Sequence, residues 1–279
     1  PDQGEDLSWL FDQLLKSGHR FRTGSDIEVI VHLYEDFGVD CLHHLRGMFS
    51  FALWDARRRR LMLARDRLGI KPLHYAESRE GLFFGSEYKS ILVAADIDRT
   101  MDVRALKDVF TIGYVLAPRT FFGAIRQMLP GHYLLYREGT VSIHQYWDAY
   151  FPGPGEIPYR GADEWASALE AKLEETVGIH LRSDVPVGAW LSAGIDSSAV
   201  VGLASRILNR PIQTFSLVFE NPDFDEVSTQ KILADFPAFN LSNKRVVCRT
   251  NDVAWMPQAV WHGEDPRASG TEIPRLLLS

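Results

Sequence analysis

The sequence predicts two domains of different fold class. Residues 1–147 are predicted to form an α+β domain of sheets with helices, because short runs of alternating apolar residues follow one another with glycine and charged residues at the bends. Residues 163–279 are predicted to form an α/β domain on a doubly wound parallel sheet, because helical and strand-like segments alternate at βαβ spacing. Between them, residues 148–162 (DAYFPGPGEIPYRGA) have three prolines and three glycines without any period, which is typical of a linker.

Two helices and several strands are predicted in the first domain. LSWLFDQLLKSG has apolar residues at helical spacing and ends at Gly18, and SDIEVIVHLYEDFG begins on a Ser/Asp cap and ends at Gly38. GMFSFALWDARRRRLMLARDRLG predicts two strands joined by a polar turn. HYAES, GLFFGSE and HYLLYREGTVSIHQYW predict the remaining strands.

In the second domain, WASALEAKLEETVGIHL predicts a helix and VPVGAWL a short buried strand. SSAVVGLASRIL predicts a helix that begins near Ser197, and PIQTFSLVF predicts a further strand. Ligands of such folds bind beyond the carboxyl ends of the strands. The stretch LSAGIDSS, residues 191–198, lies at that edge.

The composition argues against nucleic-acid binding, membrane binding and a membrane span. The net charge of −7 gives no electrostatic support for a nucleic-acid partner or an anionic membrane surface. Two cysteines without a C-x-x-C pair fit a reducing cytoplasm, and no apolar run approaches the length of a membrane span. Because the chain opens on Pro1 and closes on an apolar run, we expect it to be a piece of a longer protein.

The stretch LSAGIDSSAV fits either a capped strand–turn–helix link or a phosphate cradle. Small residues allow backbone amides to approach a ligand, a helix N-terminus favours anions, and serine hydroxyls donate hydrogen bonds. Asp196 favours the cradle, because a carboxylate that faces a polyphosphate calls for a bridging divalent cation such as Mg²⁺. Neither G-x-x-x-x-G-K-[ST] nor G-x-G-x-x-G occurs in the sequence.

VPVGAWLSAGIDSSAVVGLASR resembles the pyrophosphate loop, with its SGG-L-D-S pattern, of the N-type ATP pyrophosphatases, specifically of asparagine synthetases. Ala193 stands where many members have glycine. TFSLVF, NPDFDE and VWHGEDP resemble later parts of that domain, although Glu264, Asp265 and Pro266 replace the more usual D-E-P, which leaves the role of the two carboxylates open.

The first half resembles the class II glutamine amidotransferase, or glutaminase, domain of the same family. The resemblance rests on GHRFRTGSDIEVIVHLYEDFG, LRGMFSFALWD, LARDRLGIKPLHY and FGSEYKSIL, which occur in the family's order. It implies that Asp26 receives the α-amino group of glutamine, with a helix N-cap as the alternative role. Four further residues match patterned positions without a reactive role, and we expect buried or interfacial pairing for them: Arg65, Asp66, Lys71 and Glu87.

The resemblance implies an enzyme that hydrolyses glutamine in one domain and passes ammonia to the other. There ATP adenylylates aspartate, pyrophosphate leaves, and ammonia displaces AMP to give asparagine. It implies small-molecule partners, ATP and Mg²⁺ as cofactors and a cytoplasmic location, and it allows a homodimer. The implied ATP and pyrophosphate contacts are Leu191, Ser192, Gly194, Asp196, Ser197, Ser198 and Leu217, with Asp196 as the Mg²⁺ ligand.

The family's nucleophile is an N-terminal cysteine, which would precede Pro1, and Cys41 is too deep in the chain to replace it. We therefore expect no catalytic nucleophile in this polypeptide, and neither active site complete in it. Two alternatives remain open at this stage. The parent could be another amide-forming relative, such as a β-lactam synthetase or a lasso-peptide cyclase, or a non-catalytic nucleotide-binding module.

Overall fold

The computed structural model describes residues 7–157, 160–192, 194–220, 240–264 and 271–278. The chain divides into two compact units, Pro1–Phe151 and Pro152–Ser279, and the division falls within the segment 148–162. Within the described ranges, no helix combines the length and the apolarity that crossing a membrane requires.

The first unit begins with two helices whose ends the sequence specifies. Helix α1 spans Leu7–Lys16 and helix α2 spans Asp26–Phe37. Gly18 and Gly38 follow them with φ of 98° and 59°, in the region that glycine adopts most readily. A short helix, α3 (Cys41–His44), follows. The predicted positions of both long helices are therefore confirmed.

Two antiparallel sheets follow. The four-stranded sheet has the order β1-β2-β6-β7, and the three-stranded sheet has the order β4-β3-β5. The strands are β1 (Ser50–Asp55), β2 (Arg60–Arg65), β3 (His74–Ser78), β4 (Gly81–Gly85), β5 (Arg126–Gln127), β6 (His132–Arg137) and β7 (Thr140–Gln145). In the register of the larger sheet, Leu53 lies opposite Met62, and Leu61 lies opposite Tyr136.

Side-chain alternation along β2 builds a core on each face of the larger sheet. Met62 and Ala64 pack with Leu14 and Leu33 of the two helices. Leu63, on the other face, packs with apolar residues next to the smaller sheet, including Tyr75. Beyond that sheet, helix α4 (Tyr88–Ala94) covers β3. The first unit is thus layered as helices, sheet, sheet and helix.

Helices α4 and α5 (Val103–Ile112) were not predicted from the sequence. Both are short, and they bury few residues: Ile91 in α4, and Ala105 and Val109 in α5. Helix α5 nevertheless has apolar residues at helical spacing between an aspartate cap and a terminal glycine, so its signal was present in the sequence.

The second unit has three parallel strands among its described residues, in the order β10-β9-β8. Its elements are α6 (Ala162–His180), β8 (Gly188–Trp190), α7 (Ile195–Leu208), β9 (Ile212–Phe219), β10 (Leu241–Cys248), α8 (Met256–Gly263) and α9 (Glu272–Leu278). The prediction of a buried strand at VPVGAWL is wrong in extent and burial. Strand β8 is three residues long and Trp190 is 57% exposed, so burial at this end rests on Leu191.

Candidate functional site

The turn after β8 brings the predicted phosphate-binding residues together. Trp190 pairs with Phe215, and the Leu191 amide donates to the Phe215 carbonyl at 2.8 Å, so the chain leaves the sheet at its carboxyl edge. Helix α7 begins at Ile195, two residues earlier than predicted. The described residues of LSAGIDSS therefore lie where a parallel sheet presents its ligand-binding edge.

Two serine hydroxyls converge at the centre of this turn. Ser192 Oγ lies 2.8 Å from Ser197 Oγ, and the Gly194 amide donates to Ser192 Oγ at 3.2 Å. Ser198 Oγ donates to the Gly194 carbonyl at 2.8 Å, which ties the first helical turn to the loop. These donors are close together and are bonded within the turn, so an anion bound there would replace their internal acceptors.

Helix α7 adds its own donors to the turn. Gly194 is its N-cap residue, without a capping side chain, and the Ser198 amide makes an early intrahelical bond to the Gly194 carbonyl. The amides of Ile195, Asp196 and Ser197 precede that bond, so they lack an i−4 carbonyl partner within the helix. A methyl group at residue 194 would come within 3.2 Å of Ser192 Oγ, so glycine keeps this space open.

Asp196 is exposed in the first turn of α7, beside the two hydroxyls. An exposed carboxylate next to amide and hydroxyl donors offers the oxygen ligand that Mg²⁺ prefers while leaving the donors to phosphate oxygens. The residues present therefore fit a polyphosphate with bound Mg²⁺. The cation would neutralise the repulsion between the Asp196 carboxylate and the phosphates.

The two leucines predicted to contact the nucleotide differ in burial. Leu191 is 1% exposed in the core, whereas Leu217 is partly buried on β9. Because Phe215 pairs with Trp190, Leu217 lies two residues further toward the carboxyl edge. Glu264 is distant in sequence from this turn. It is the buried C-cap residue of α8, with a φ of 55°. Ala193, Asp265 and the NPDFDE segment lie outside the described residues.

One supporting residue was missed by the sequence analysis. Ser216 is fully buried and its Oγ donates to the Leu191 carbonyl at 2.8 Å, so it anchors the residue from which the loop departs. The signal was present in the sequence, since Thr214 and Ser216 place polar groups on inward-facing positions of an apolar strand.

In the first unit, Asp26 begins α2 without capping it. Ser25 is the N-cap, and its hydroxyl accepts from the Ile27 amide at 3.3 Å. The alternative role of Asp26 as helix N-cap is therefore wrong. The Asp26 side chain is exposed and lines a groove of about 1220 Å³ between α2 and β1, together with Ile30, Tyr34 and Phe51.

Glu28 holds the segment that precedes Asp26. Its carboxylate accepts from the amides of Arg22 at 2.8 Å and Thr23 at 2.7 Å, and from the Thr23 hydroxyl at 2.5 Å. These bonds, with the Thr23 hydroxyl as the largest cause, lower the pKa of Glu28 to about 2. A carboxylate that stays ionised fixes the RTGSD turn, and with it the position of Asp26.

The loop after β2 is organised by two buried charges that bind backbone rather than each other. Arg65 donates to the carbonyls of Lys71 at 2.8 Å, Met128 at 2.5 Å and Gly69 at 2.6 Å. Asp66 accepts from the amides of Leu68, Ile70 and Lys71 at 2.9–3.2 Å. The expected burial of Arg65 and Asp66 is confirmed, although their side chains pair with backbone groups. Burial is wrong for the other two residues: Lys71 is exposed, and the exposed Glu87 makes an ion pair with Lys89 at 2.8 Å.

Cys41 is fully buried, and burial raises its pKa to about 12. A thiol that remains protonated in a closed core is a poor nucleophile. The sequence-based exclusion of Cys41 as the nucleophile agrees with this environment.

Comparison with known proteins matches each half to a family. A glutamine amidotransferase domain model matches residues 8–147, which is half of the chain, and an asparagine synthase model matches residues 168–279. These two matches define an amidotransferase joined to a synthase domain. By the larger match the chain belongs to the glutamine amidotransferase domain family, and its second half is similar to asparagine synthases.

Individual relatives agree. The chain is 34% identical over 272 residues to asparagine synthetase [glutamine-hydrolyzing] 1 of Bacillus subtilis, covering 97% of this chain and 42% of the relative. A putative asparagine synthetase of Mycobacterium tuberculosis is 35% identical over 270 residues, covering 94% and 40%. Amidase chyE of Penicillium rubens is 33% identical over 294 residues, covering 98% and 42%. The chain thus spans about two-fifths of the length of these curated relatives.

Proposed function

We propose that this chain forms the glutaminase part and the nucleotide-binding start of an enzyme that makes asparagine from aspartate, glutamine and ATP. In this proposal the first domain is residues 1–147, the linker is 148–162, and residues 163–279 begin a doubly wound ATP pyrophosphatase domain. The observation that carries it is the serine-lined turn at the carboxyl edge of a parallel sheet, following an amidotransferase domain in one chain.

In the proposed nucleotide site, Ser192, Ser197, Ser198 and the Gly194 amide hold the pyrophosphate portion of ATP. Asp196 contacts Mg²⁺, which supplies positive charge as pyrophosphate departs. Leu217 flanks the adenine, and Leu191, whose side chain is buried in the core, supports the edge of the sheet from which the loop departs. Binding exchanges the weak internal bonds of the turn, such as the 3.2 Å bond from the Gly194 amide to Ser192 Oγ, for bonds to phosphate oxygens.

The direct test of this site is calorimetric titration of the chain with Mg·ATP. Asp196→Asn should weaken binding at least tenfold, because the amide removes the charge that holds the metal. Asp163→Asn is a matched control, since Asp163 is also an exposed aspartate in the first turn of a helix. Equal affinity of Asp196→Asn and the unaltered chain would refute the metal assignment.

In the proposed glutamine site, the Asp26 carboxylate receives the α-amino group of glutamine at the mouth of the groove. Asp26→Asn should raise the KM for glutamine of the full-length protein that contains this chain, with ammonia-dependent synthesis unchanged. Asp12→Asn, an exposed aspartate on α1, controls for surface charge. Loss of both activities together would point to a structural role for Asp26 instead.

The acceptor distinguishes the two catalytic alternatives. The similarity to amidase chyE leaves room for an acceptor other than aspartate. Aspartate-dependent release of AMP and pyrophosphate by the full-length protein supports the proposal, whereas nucleotide binding without turnover supports a binding module. A cytoplasmic location and a homodimer are part of the proposal, and the former accords with the free state of Cys41 and Cys248.

A further inference from the structure

A cluster of two histidines and a carboxylate lies on the helical layer of the first unit. It consists of His19, His32 and Glu35, which offer ligand atoms that all lie within 4.8 Å of one another. The groove that Asp26 lines is formed by Asp26, Ile30 and Tyr34 of the same helix, at spacings of four residues. Glu35 also lines this groove, whereas His19 and His32 do not, so the cluster lies at the edge of the groove on α2.

Local structure brings these three residues together. His32 and Glu35 are three residues apart on α2, which places them side by side on the helix surface. The chain reverses after α1 at Gly18, where φ is 98°, and the His19 amide bonds back to the Leu14 carbonyl at 3.0 Å. This turn sets the His19 ring against the His32 ring, with centroids 4.6 Å apart.

The distances suit a single cation between the three side chains. His19 Nδ1 lies 3.4 Å from Glu35 Oε2, and His32 Nδ1 lies 2.8 Å from the same oxygen. Two ligands of a tetrahedral zinc ion with bonds of about 2.1 Å stand about 3.4 Å apart. The His19–Glu35 pair therefore already has the tetrahedral separation, and the His32–Glu35 pair reaches it with a shift of about half an ångström, within the freedom of an exposed glutamate. The ligand atoms of all three residues lie within 4.8 Å of one another, so binding also requires the two ring nitrogens to move closer to each other.

One histidine also has a second carboxylate on its other ring nitrogen. His19 Nε2 lies 3.0 Å from Asp36 Oδ2, whereas His32 Nε2 lies 3.7 Å from Glu28 Oε1 and is buried without a hydrogen bond. Metal-binding histidines characteristically direct their distal N–H at a carboxylate, which fixes the tautomer and leaves the other nitrogen for the metal. Asp36 can take this part for His19.

We propose that His19, His32 and Glu35 bind a divalent transition-metal cation, with zinc as the best match, and that Asp36 orients the His19 imidazole. Two neutral imidazoles and one carboxylate, with solvent in the fourth position, are a ligand set that zinc accepts. The site joins the turn after α1 to the middle of α2. It does not depend on the proposed function of either domain.

The test is a zinc competition titration of the whole chain against a chromophoric chelator, with X-ray absorption on the loaded protein. We expect one zinc per chain, a first shell of nitrogen and oxygen at about 2.0–2.1 Å, and no sulfur. His19→Gln, His32→Gln and Glu35→Gln should each abolish stoichiometric binding. Glu35→Gln is the safest of these for folding, because the Glu35 side chain is 56% exposed.

Second-sphere and control variants sharpen the result. Asp36→Asn should weaken zinc binding about 10–100-fold without abolishing it. His144→Gln, an exposed histidine elsewhere in the first unit, and Asp12→Asn should bind as the unaltered chain does. The proposal is overturned if the three ligand variants bind zinc as tightly as the unaltered chain, or if a sulfur shell at about 2.3 Å assigns the metal to a cysteine.

Discussion

Gly69 is the residue whose substitution should most clearly expose how the loop after β2 is built. Its φ is 66°, and a methyl group there would meet Pro130 Cγ at 2.9 Å and Arg65 Cζ at 3.0 Å. Arg65 cannot withdraw, because its three hydrogen bonds fix the guanidinium. Gly69→Ala therefore combines backbone strain with overpacking.

The magnitude follows from these two costs. A left-handed conformation costs a non-glycine residue about 1–2 kcal/mol, and overpacking adds about 1–3 kcal/mol. We expect Gly69→Ala to lower the free energy of unfolding of the first unit by about 3 kcal/mol. Gly139→Ala is the matched control, since φ is 79° there with no atom within 4 Å of the added methyl group, and it should cost only about 1–2 kcal/mol.

The assay is hydrogen exchange with mass spectrometry across a urea series, which reports the two units separately in the intact chain. Peptides that cover β2 and β6 should lose protection at lower urea in Gly69→Ala than in Gly139→Ala. Equal loss in the two variants would show that Arg65 and Pro130 yield without cost, and the reasoning about this loop would be wrong.

Three further predictions concern burial and charge. At about pH 8, iodoacetamide should label Cys248 and leave Cys41 unlabelled until the chain unfolds, because burial raises the pKa of Cys41 to about 12; equal labelling rates, followed by peptide mass spectrometry, would contradict this. Glu28 and Asp55 both have a pKa lowered to about 2, so the stability they add is complete above their unfolded pKa near 4 and is lost as the pH falls toward 2. Urea midpoints should fall over that window, and the fall should be smaller in Asp55→Asn; an unchanged slope would exclude Asp55 as a source. Ser216→Ala should destabilise the second unit by about 1–3 kcal/mol and weaken Mg·ATP binding, because the buried Leu191 carbonyl loses its hydroxyl donor, whereas the exposed Ser242→Ala should do neither.

Elements whose positions depend on neighbouring residues alone could be predicted from the sequence. Helix α2 begins after Ser25 and stops at Gly38 because a capping hydroxyl and a positive φ are properties of those residues themselves. Strands β1 and β2 follow from alternation and a polar turn. Helix α5 was missed although Asp102 caps its start and Gly113 ends it, which are local signals of the same kind.

The residues of the candidate sites also differ in whether the sequence alone could predict their roles. The serine-lined turn could be predicted because all its donors lie within seven residues of sequence, so spacing alone describes them. The role of Ser216 depends on the pairing of β8 with β9, which only the sheet supplies. The His19 and His32 pair was not predicted, because the two residues are thirteen positions apart in sequence and it is the turn at Gly18, directly before His19, that brings the rings together.

The strand order of the larger sheet has a consequence for how the first unit folds during synthesis. Strands β1 and β2 are close in sequence, but the inner partner of β2 is β6, where Leu61 faces Tyr136 about 75 residues later. At a translation rate of about 5–20 residues per second, that partner emerges roughly 4–15 s after β2 does. During this interval the outer edge of β2 is unpaired, and the apolar side chains of the β1–β2 hairpin are exposed. Chaperones bind exposed surfaces of this kind. The time the ribosome needs to reach β6 therefore sets the earliest moment at which the core of the first unit can close.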